Sequence, residues 1–534
     1  MHWADFTASR LAQKGDTHTI ATGITPSGNI HVGNMREVLT GDILRRACSD
    51  AGMDAELVYI ADTADPLRKV YGFLDDSYSQ YIGHPLGDIP APDEKGRPDG
   101  DGTYAEYFLA PFLAALEETG VECRVIDNYQ SYKDGDFAEN ARKLCDAAGQ
   151  VREIIERVSS RELSDNWFPY NPRGSDGSMD GVVITNWQWP YVHWVDQHGI
   201  EGKADLRTAD GKLPWRLDWP ARWQQIGVTC EPFGKDHAAA GGSYDTGKEI
   251  AKLLDYEAPM SLAYEWISLK GQGAMSSSKG ITLSARQLLD IVPPEMMRYL
   301  IARTKPKRAI DFDTGEGLIS MADEFERLAN SIPSLLEELQ SEETMKKRKR
   351  DQIEDTLAFW KYSQVVAGDS AASGSGISFS HLSLVAQVKQ DDAEVWKSLN
   401  QTHGIDEKQP SKVLQERLWR MRNWLAGELF PDSSRVSIQE KINTEWVNSL
   451  SGEQISYLQK LSDSTTILEN TESAINQWIR NAARDCEIEM KMAFNTLYNL
   501  YIGKDKGPRL AALLSALGKE QILAPLDSTL NYLG

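Results

Sequence analysis

One stretch decides the fold of this chain: Thr25-Pro26-Ser27-Gly28-Asn29-Ile30-His31-Val32-Gly33-Asn34. The apolar residues 19–23 before it predict a β-strand, and residues 35–51 after it predict an amphipathic helix that ends at Gly52. A strand, a turn of small residues and a helix N-terminus form a cradle for an anion, because free backbone N–H groups and the helix dipole favour phosphate there. Glycine lets the backbone approach a ligand closely, and a neutral histidine donates a hydrogen bond to a phosphate oxygen. The stretch therefore predicts a phosphate site at the first turn of an α/β unit.

A second stretch, Met275-Ser276-Ser277-Ser278-Lys279-Gly280, combines hydroxyl groups with one cation. Such a loop is suited to close over a polyphosphate, although by itself it is also typical of a linker. Its position after a returning parallel sheet favours the functional interpretation. Together the two stretches indicate an enzyme that activates a substrate with a nucleotide.

Predicted strands and helices alternate in the first part of the chain, which indicates a split, doubly wound α/β domain. We expect strands at 57–61, 181–184 and 226–231, and helices at 104–118, 136–159 and 243–254. From residue 293 onward the apolar spacing is helical, with later helices expected at 411–429, 437–450, 472–500 and 509–517. The last part of the chain is therefore predicted to be all-helical.

The composition is that of an ordinary globular protein, with 534 residues of which 41% are hydrophobic and 25% are charged. No apolar stretch is long enough to span a bilayer, and five scattered cysteines without a Cys-x-x-Cys pair are typical of a reduced cytoplasm. The net charge of −22 argues against a protein that coats nucleic acid. The basic runs 303–308 and 346–350 leave two interpretations open, a local RNA surface or a solvated face. We expect a cytoplasmic protein without a membrane segment.

Residues 31–34 and 275–279 resemble the two signatures of the class I aminoacyl-tRNA synthetases. Four segments resemble, more narrowly, the class I lysyl-tRNA synthetases of the archaeal type: His2-Trp3-Ala4-Asp5-Phe6, Gly23-Ile24-Thr25-Pro26-Ser27-Gly28, Pro214-Trp215-Arg216-Leu217-Asp218-Trp219-Pro220-Ala221-Arg222-Trp223 and Gly234-Lys235-Asp236-His237. The resemblance implies a Rossmann-like α/β catalytic domain with a connective insertion, followed by an all-α C-terminal domain. It also implies a lysine–tRNA ligase, which activates L-lysine with ATP to lysyl-adenylate and transfers the lysine to the 3′ end of tRNA(Lys).

The same resemblance implies a division of the chain into five parts. These are 1–95, the first half of the catalytic domain; 96–215, the connective insertion; 216–290, the second half with the Met-Ser-Ser-Ser-Lys loop; 291–345, a helical region that contacts the tRNA stem; and 346–534, a helical anticodon-binding domain. We expect the chain to act as a monomer.

Aminoacylation needs no protein nucleophile, because a substrate carboxylate attacks the α-phosphate of ATP and a tRNA hydroxyl then takes the acyl group. The resemblance assigns ATP contacts to Pro26, Ser27, Gly28, His31, Gly33, Asn34, Asp236, Met275, Ser276, Ser277, Ser278 and Lys279. The expected catalytic residues are His31 and Asn34, on phosphate and ribose, and Lys279, on the transferring phosphate. The chain departs from the generic signatures, since Asn34 replaces a histidine and Ala274 replaces a lysine. Lys279 alone then supplies the charge of the second signature.

The lysine pocket implied by the resemblance comprises Gly23, Thr25, Trp215, His237 and Tyr264. An aromatic wall suits the methylene stem of lysine, and a carboxylate suits its ammonium group. We select Asp62 for that carboxylate, with Asp65 as a second candidate, because both follow the second predicted strand. The tryptophans Trp215, Trp219 and Trp223 are spaced by four residues, which is equally typical of a helical stripe that faces the core.

Magnesium is expected to arrive with ATP, held mainly by the phosphates and water, and no protein metal ligand is predicted. Zinc is not expected, because residues 169–174 contain no cysteine where many relatives carry a Cys-rich cluster.

Three other functions stay open at this point. The same fold charging glutamate or glutamine calls for an arginine that meets a side-chain carboxylate. A nucleotidyltransferase acting on a small metabolite has no need of a long helical tail. A catalytically silent tRNA-binding protein has no need of His31 and Lys279.

Overall fold

The computed structural model describes residues 1–270, 273–274, 283–341, 345–368, 374–464 and 469–533. The chain divides into two compact units. The first comprises Met1–Leu289, Pro294–Phe312 and Glu337–Ala371, and the second comprises Asp290–Pro293, Asp313–Leu336 and Ala372–Gly534. In the part of the chain that is described, no helix is both long and apolar enough to cross a membrane.

The strands are β1 (Thr17–Ile24), β2 (Asp54–Ala61), β3 (Pro90–Ala91), β4 (Gly100–Thr103), β5 (Arg124–Asp127), β6 (Asn171–Pro172), β7 (Val183–Gln188), β8 (Tyr191–Val195), β9 (Glu201–Asp205), β10 (Gly211–Lys212), β11 (Cys230–Gly234), β12 (Met260–Tyr264), β13 (Ile267–Leu269), β14 (Gly273–Ala274) and β15 (Ile310–Phe312). The helices are α1 (Trp3–Leu11), α2 (Val32–Asp50), α3 (Tyr104–Glu118), α4 (Asn128–Lys133), α5 (Ala138–Asp146), α6 (Ala148–Ser159), α7 (Trp215–Ile226), α8 (Ser243–Leu253), α9 (Ala285–Leu289), α10 (Pro294–Ala302), α11 (Glu316–Ser341), α12 (Lys347–Ser363), α13 (Phe379–Val388), α14 (Asp392–His403), α15 (Lys412–Ala426), α16 (Thr444–Asn448), α17 (Gly452–Ser464), α18 (Glu472–Asp485), α19 (Met490–Ile502), α20 (Leu510–Leu517) and α21 (Lys519–Leu533).

The first unit is built around a parallel sheet in the order β12-β11-β1-β2-β5. In its middle strand, Ile20 pairs in register with Leu57 of β2 and with Cys230 of β11. All three side chains are buried, because helices cover both faces of a parallel sheet. The antiparallel sheet β7-β8-β9 lies in the segment between β5 and β11. The predicted α/β fold is confirmed, as are the strand at 57–61 and the helix at 104–118.

Three element predictions in this unit are wrong in their limits. The strand predicted at 181–184 is β7, Val183–Gln188. The strand predicted at 226–231 begins only at Cys230, because α7 extends to Ile226. Gly227 ends α7 with a φ of 76°, a left-handed conformation that glycine adopts without strain. The helix predicted at 136–159 is two helices that meet at Ala147.

The second unit is helical, which confirms the predicted all-α C-terminal region. Its core includes the buried side chains Tyr457, Leu458, Ile475, Ile479, Leu497, Leu513 and Leu514. The helix predicted at 472–500 is two helices, since the chain turns at Glu487 with a φ of 54°. Of the helix predicted at 437–450, only Thr444–Asn448 forms, and the Asn443 side chain caps its start by accepting from the Trp446 backbone N–H. The division into five parts stays a prediction.

Candidate active site

A cleft of about 270 Å³ lies at the carboxyl end of β1 and the N-terminus of α2. This edge of a parallel sheet is where α/β proteins bind their ligands. The lining residues are Gly23, Ile24, Thr25, Ser27, Gly28, Ile30, His31, Asn34, Glu37, Gly234, His237, Tyr264 and Trp266. The cleft therefore brings together eight residues predicted for the ATP and lysine sites, namely Gly23, Thr25, Ser27, Gly28, His31, Asn34, His237 and Tyr264.

The start of α2 forms one wall of the cleft. His31 is the N-cap residue, and its backbone N–H donates to Oδ1 of Asn34 over 3.3 Å. Burial lowers the pKa of His31 to about 4, so its imidazole is neutral at physiological pH. The hydroxyl of Tyr104 donates to the Ser27 carbonyl oxygen over 2.8 Å and holds the preceding turn. Pro26 and Gly33 are buried beside the cleft.

The carboxylate of Glu37 lies in the same cleft, about one turn further along α2 than Asn34. Its Oε1 accepts from the Gly23 backbone N–H over 2.9 Å, and its Oε2 accepts from the Tyr264 hydroxyl over 2.6 Å. Burial raises the pKa of Glu37 to about 7. Among the described residues that line the cleft, Glu37 is the single carboxylate. The cleft thus combines the N-terminus of α2 with a carboxylate further along the same helix.

Sequence reasoning missed Glu37. A charged residue inside an amphipathic helix is typical of a solvated face, so the pattern of α2 did not mark this one. A signal was nevertheless present, because Glu37 follows Asn34 by three residues and so shares its face of the helix.

The two aspartates predicted to meet the lysine ammonium lie in a buried ionic cluster. Asp62 pairs with the guanidinium of Arg222, which also pairs with Asp218. Asp65 accepts from the ammonium of Lys212 over 2.5 Å and from the Thr25 hydroxyl over 2.8 Å. Neither aspartate lines the cleft. Their direct contact with lysine stays a prediction, and Thr25 is the residue through which the cluster reaches the cleft.

Two tryptophans of α7 are in the core, and the third, Trp215, contacts the cleft residue His237 without lining the cleft itself. Trp219 and Trp223 are buried, and their indole N–H groups donate to Glu231 over 2.8 and 2.5 Å. Trp215 is half-buried at the start of the helix, with its ring 5.4 Å from the ring of His237. Asp236, beside His237, is exposed and does not line the cleft. The other predicted ATP contacts, Met275, Ser276, Ser277, Ser278 and Lys279, lie outside the described residues.

A parallel sheet whose carboxyl edge carries a helix N-terminus, a neutral histidine and a buried carboxylate is typical of an α/β ligand-binding domain. The model of the family described as "tRNA synthetases class I (K)" matches residues 1–356. The chain therefore belongs to the class I tRNA synthetases of the lysine (K) family, as the sequence resemblance implied.

Relatives match over the full length. The lysine–tRNA ligase of Thermoplasma volcanium is 37% identical over 538 aligned residues, which cover 99% of this chain and 99% of that protein. The lysine–tRNA ligase of Archaeoglobus fulgidus is 37% identical over 533, covering 99% of this chain and 100% of that protein. Among solved structures, a glutamate–tRNA ligase from Elizabethkingia meningosepticum aligns with a TM-score of 0.45 and 12% identity, covering 97% of this chain and 100% of that one.

Proposed function

We propose that the chain is a lysine–tRNA ligase whose cleft joins L-lysine to ATP and then passes the lysyl group to tRNA(Lys). A lysine carboxylate oxygen attacks the α-phosphorus of ATP, the bond to the β-phosphate breaks, and pyrophosphate leaves. A ribose hydroxyl of the tRNA 3′ end then attacks the acyl carbon, and AMP leaves. The observation that carries the proposal is that one cleft holds both the N-terminus of α2 and the Glu37 carboxylate.

The ATP triphosphate is proposed to lie at the start of α2. There the helix dipole, the neutral His31 imidazole and the Asn34 amide meet the charge that builds on the phosphoryl oxygens. The turn at Ser27 and Gly28 lets the backbone approach the phosphates. Magnesium enters as the complex with ATP and is held by phosphate and water. Lys279 stays the proposed cation of the second signature.

The lysine substrate is proposed to place its side-chain ammonium against Glu37. Binding of a cation favours the ionised carboxylate, whose pKa is about 7 in the free cleft. The Thr25 hydroxyl donates its proton to Asp65, so its oxygen is left to accept from the substrate. The ring of His237, which lines the cleft, is proposed to lie beside the methylene stem, with the Trp215 ring 5.4 Å from it.

The pocket charge supports lysine over glutamate or glutamine. A carboxylate in the pocket repels a glutamate side chain, and no arginine is among the described residues that line the cleft. The nearby Arg222 is turned to Asp62 and Asp218.

The test is acylation of total tRNA by the purified protein with ATP, magnesium and each amino acid in turn. Charging with lysine alone is the expected result. Charging with glutamate or glutamine would overturn the specificity. A folded protein that charges no amino acid but binds tRNA would support the catalytically silent alternative.

We also propose that the protein works as a cytoplasmic monomer, in keeping with five cysteines that form no disulfide. Light scattering should then give a mass near the 59.7 kDa of one chain. A mass of two chains would contradict it.

A further inference from the structure

Trp266 lies at the rim of the cleft and is 36% exposed. Tyr264, two residues earlier, is 3% exposed and contacts Glu37 at the bottom of the cleft. The cleft therefore has a deep anionic end and a shallow aromatic end. The start of α2, with His31, also lines the cleft.

The backbone of Trp266 is held firmly. Its carbonyl oxygen accepts from Nη1 of Arg36 over 3.2 Å and from the Ile310 N–H over 3.0 Å. Arg36 is 1% exposed, and its Nη2 also donates to the carbonyl oxygens of Pro306 and Arg308 over 3.0 and 2.7 Å. A buried arginine thus fixes the backbone while the indole stays open to the cleft.

The indole lies against Gly234 at the carboxyl end of β11. A Cβ at position 234 would stand 2.9 Å from Cη2 and 3.2 Å from Cζ2 of Trp266. Real side-chain packing does not allow this approach without movement of the ring. Gly234 is therefore what allows the indole its position beside the sheet edge.

We propose that Trp266 is the platform on which the adenine ring of ATP stacks. This inference rests on the proposed function. The deep pocket takes an ammonium, the start of α2 takes phosphates, and a flat, partly exposed indole at the rim takes a base through its π-face. An indole kept one-third exposed beside a ligand cleft also leaves apolar surface in water, and a stacked base would cover it.

The test compares Trp266→Ala and Trp266→Phe with the parent in aminoacylation, with separate KM values for ATP, lysine and tRNA, and in ATP binding by calorimetry without lysine. For Trp266→Ala we expect KM and Kd for ATP to rise about tenfold, the change that loss of base–aromatic stacking produces. For Trp266→Phe we expect a rise of about threefold, since a smaller ring still stacks. KM for lysine should rise by less than KM for ATP in both, because Tyr264, whose ring lies 6.4 Å from that of Trp266, is the residue that contacts Glu37.

Trp189→Ala is the matched control, because Trp189 is 38% exposed and does not line the cleft. It should leave the KM values for ATP, lysine and tRNA and the Kd for ATP unchanged. Gly234→Ala should displace the indole and repeat the ATP defect, so the proposal remains testable if Trp266→Ala does not fold.

If KM and Kd for ATP are unchanged in Trp266→Ala, the proposal that adenine stacks on Trp266 is overturned. If Trp266→Ala does not fold, unchanged values in both Trp266→Phe and Gly234→Ala would overturn it. A rise in the KM for tRNA alone would assign the indole to the terminal adenosine of tRNA and would also overturn it. The parent is measured first: if it neither binds ATP nor charges tRNA, the proposed function fails before the variants are compared.

Discussion

Replacing Glu37 with glutamine tests the charge at the bottom of the cleft. Glutamine keeps the size of the side chain and an oxygen that accepts from the Gly23 N–H, but it removes the negative charge. Removal of one partner from a buried, hydrogen-bonded ion pair costs about 3–5 kcal/mol. Because Glu37 is only partly covered and the cleft admits water, the lower value of about 3 kcal/mol applies, or roughly a 150-fold rise in the KM for lysine. KM for ATP should change little.

The pH dependence of KM for lysine tests the role of the Glu37 carboxylate independently. The pKa of Glu37 is raised to about 7 by burial, so the carboxylate that binds an ammonium is lost as the pH falls through 7. KM for lysine should therefore rise about tenfold for each pH unit below 7 in the parent until the pH reaches about 5, and should stay flat in Glu37→Gln.

Although Glu37→Gln should weaken lysine binding, it should increase the stability of the fold. A carboxyl group whose pKa is raised in the folded state favours unfolding once the pH exceeds its unfolded value, and the penalty is complete above pH 7. Glu37→Gln should thus be more stable than the parent by about 2 kcal/mol at pH 8, after allowance for water in the cleft, and equally stable at pH 4. Urea denaturation at the two pH values measures this difference.

Glu231→Gln is the matched control. Glu231 is also buried, its pKa is raised to about 8 by burial, and it accepts from Trp219 and Trp223 without lining the cleft. It should leave KM for lysine unchanged. A KM for lysine within about threefold of the parent in Glu37→Gln, or a pH dependence that survives the substitution, would refute the role of Glu37.

Three further predictions concern other parts of the molecule. His31→Ala should lower kcat for aminoacylation by about 100-fold and spare tRNA binding, because it removes one donor to the phosphoryl oxygens; unchanged kcat would exclude His31 from the mechanism. Arg222→Met leaves Asp62 buried without its paired cation and Asp218 with only Lys212, at 3.9 Å, and should cost about 3–5 kcal/mol in urea denaturation. Lys14→Ala, at an exposed ion pair, should cost under about 1 kcal/mol; equal losses would contradict the argument. Metal analysis of the pure protein should find no stoichiometric zinc, and about one zinc per chain would contradict that prediction.

The local sequence determined the strand, turn and helix around Thr25 and, with them, the part of the site at the start of α2. The strand, the turn of small residues and the helix after Thr25 follow from neighbouring residues, because a strand period, a glycine turn and a helix start are each encoded within a few positions. The same holds for the placement of His31 and Asn34 at the start of α2. The lysine family came from the resemblance of separate segments, which composition and periodicity do not supply.

Only the tertiary structure decided which charges face the cleft. From the sequence alone, Asp62 and Glu37 are both possible partners for an ammonium group. In the structure Asp62 forms an ion pair with Arg222 of α7, whereas Glu37 accepts hydrogen bonds from Gly23 and Tyr264. These partners are 14 to 227 residues away in the chain. Electrostatic pairing depends on distance and burial in three dimensions, and neither is encoded by a residue's neighbours.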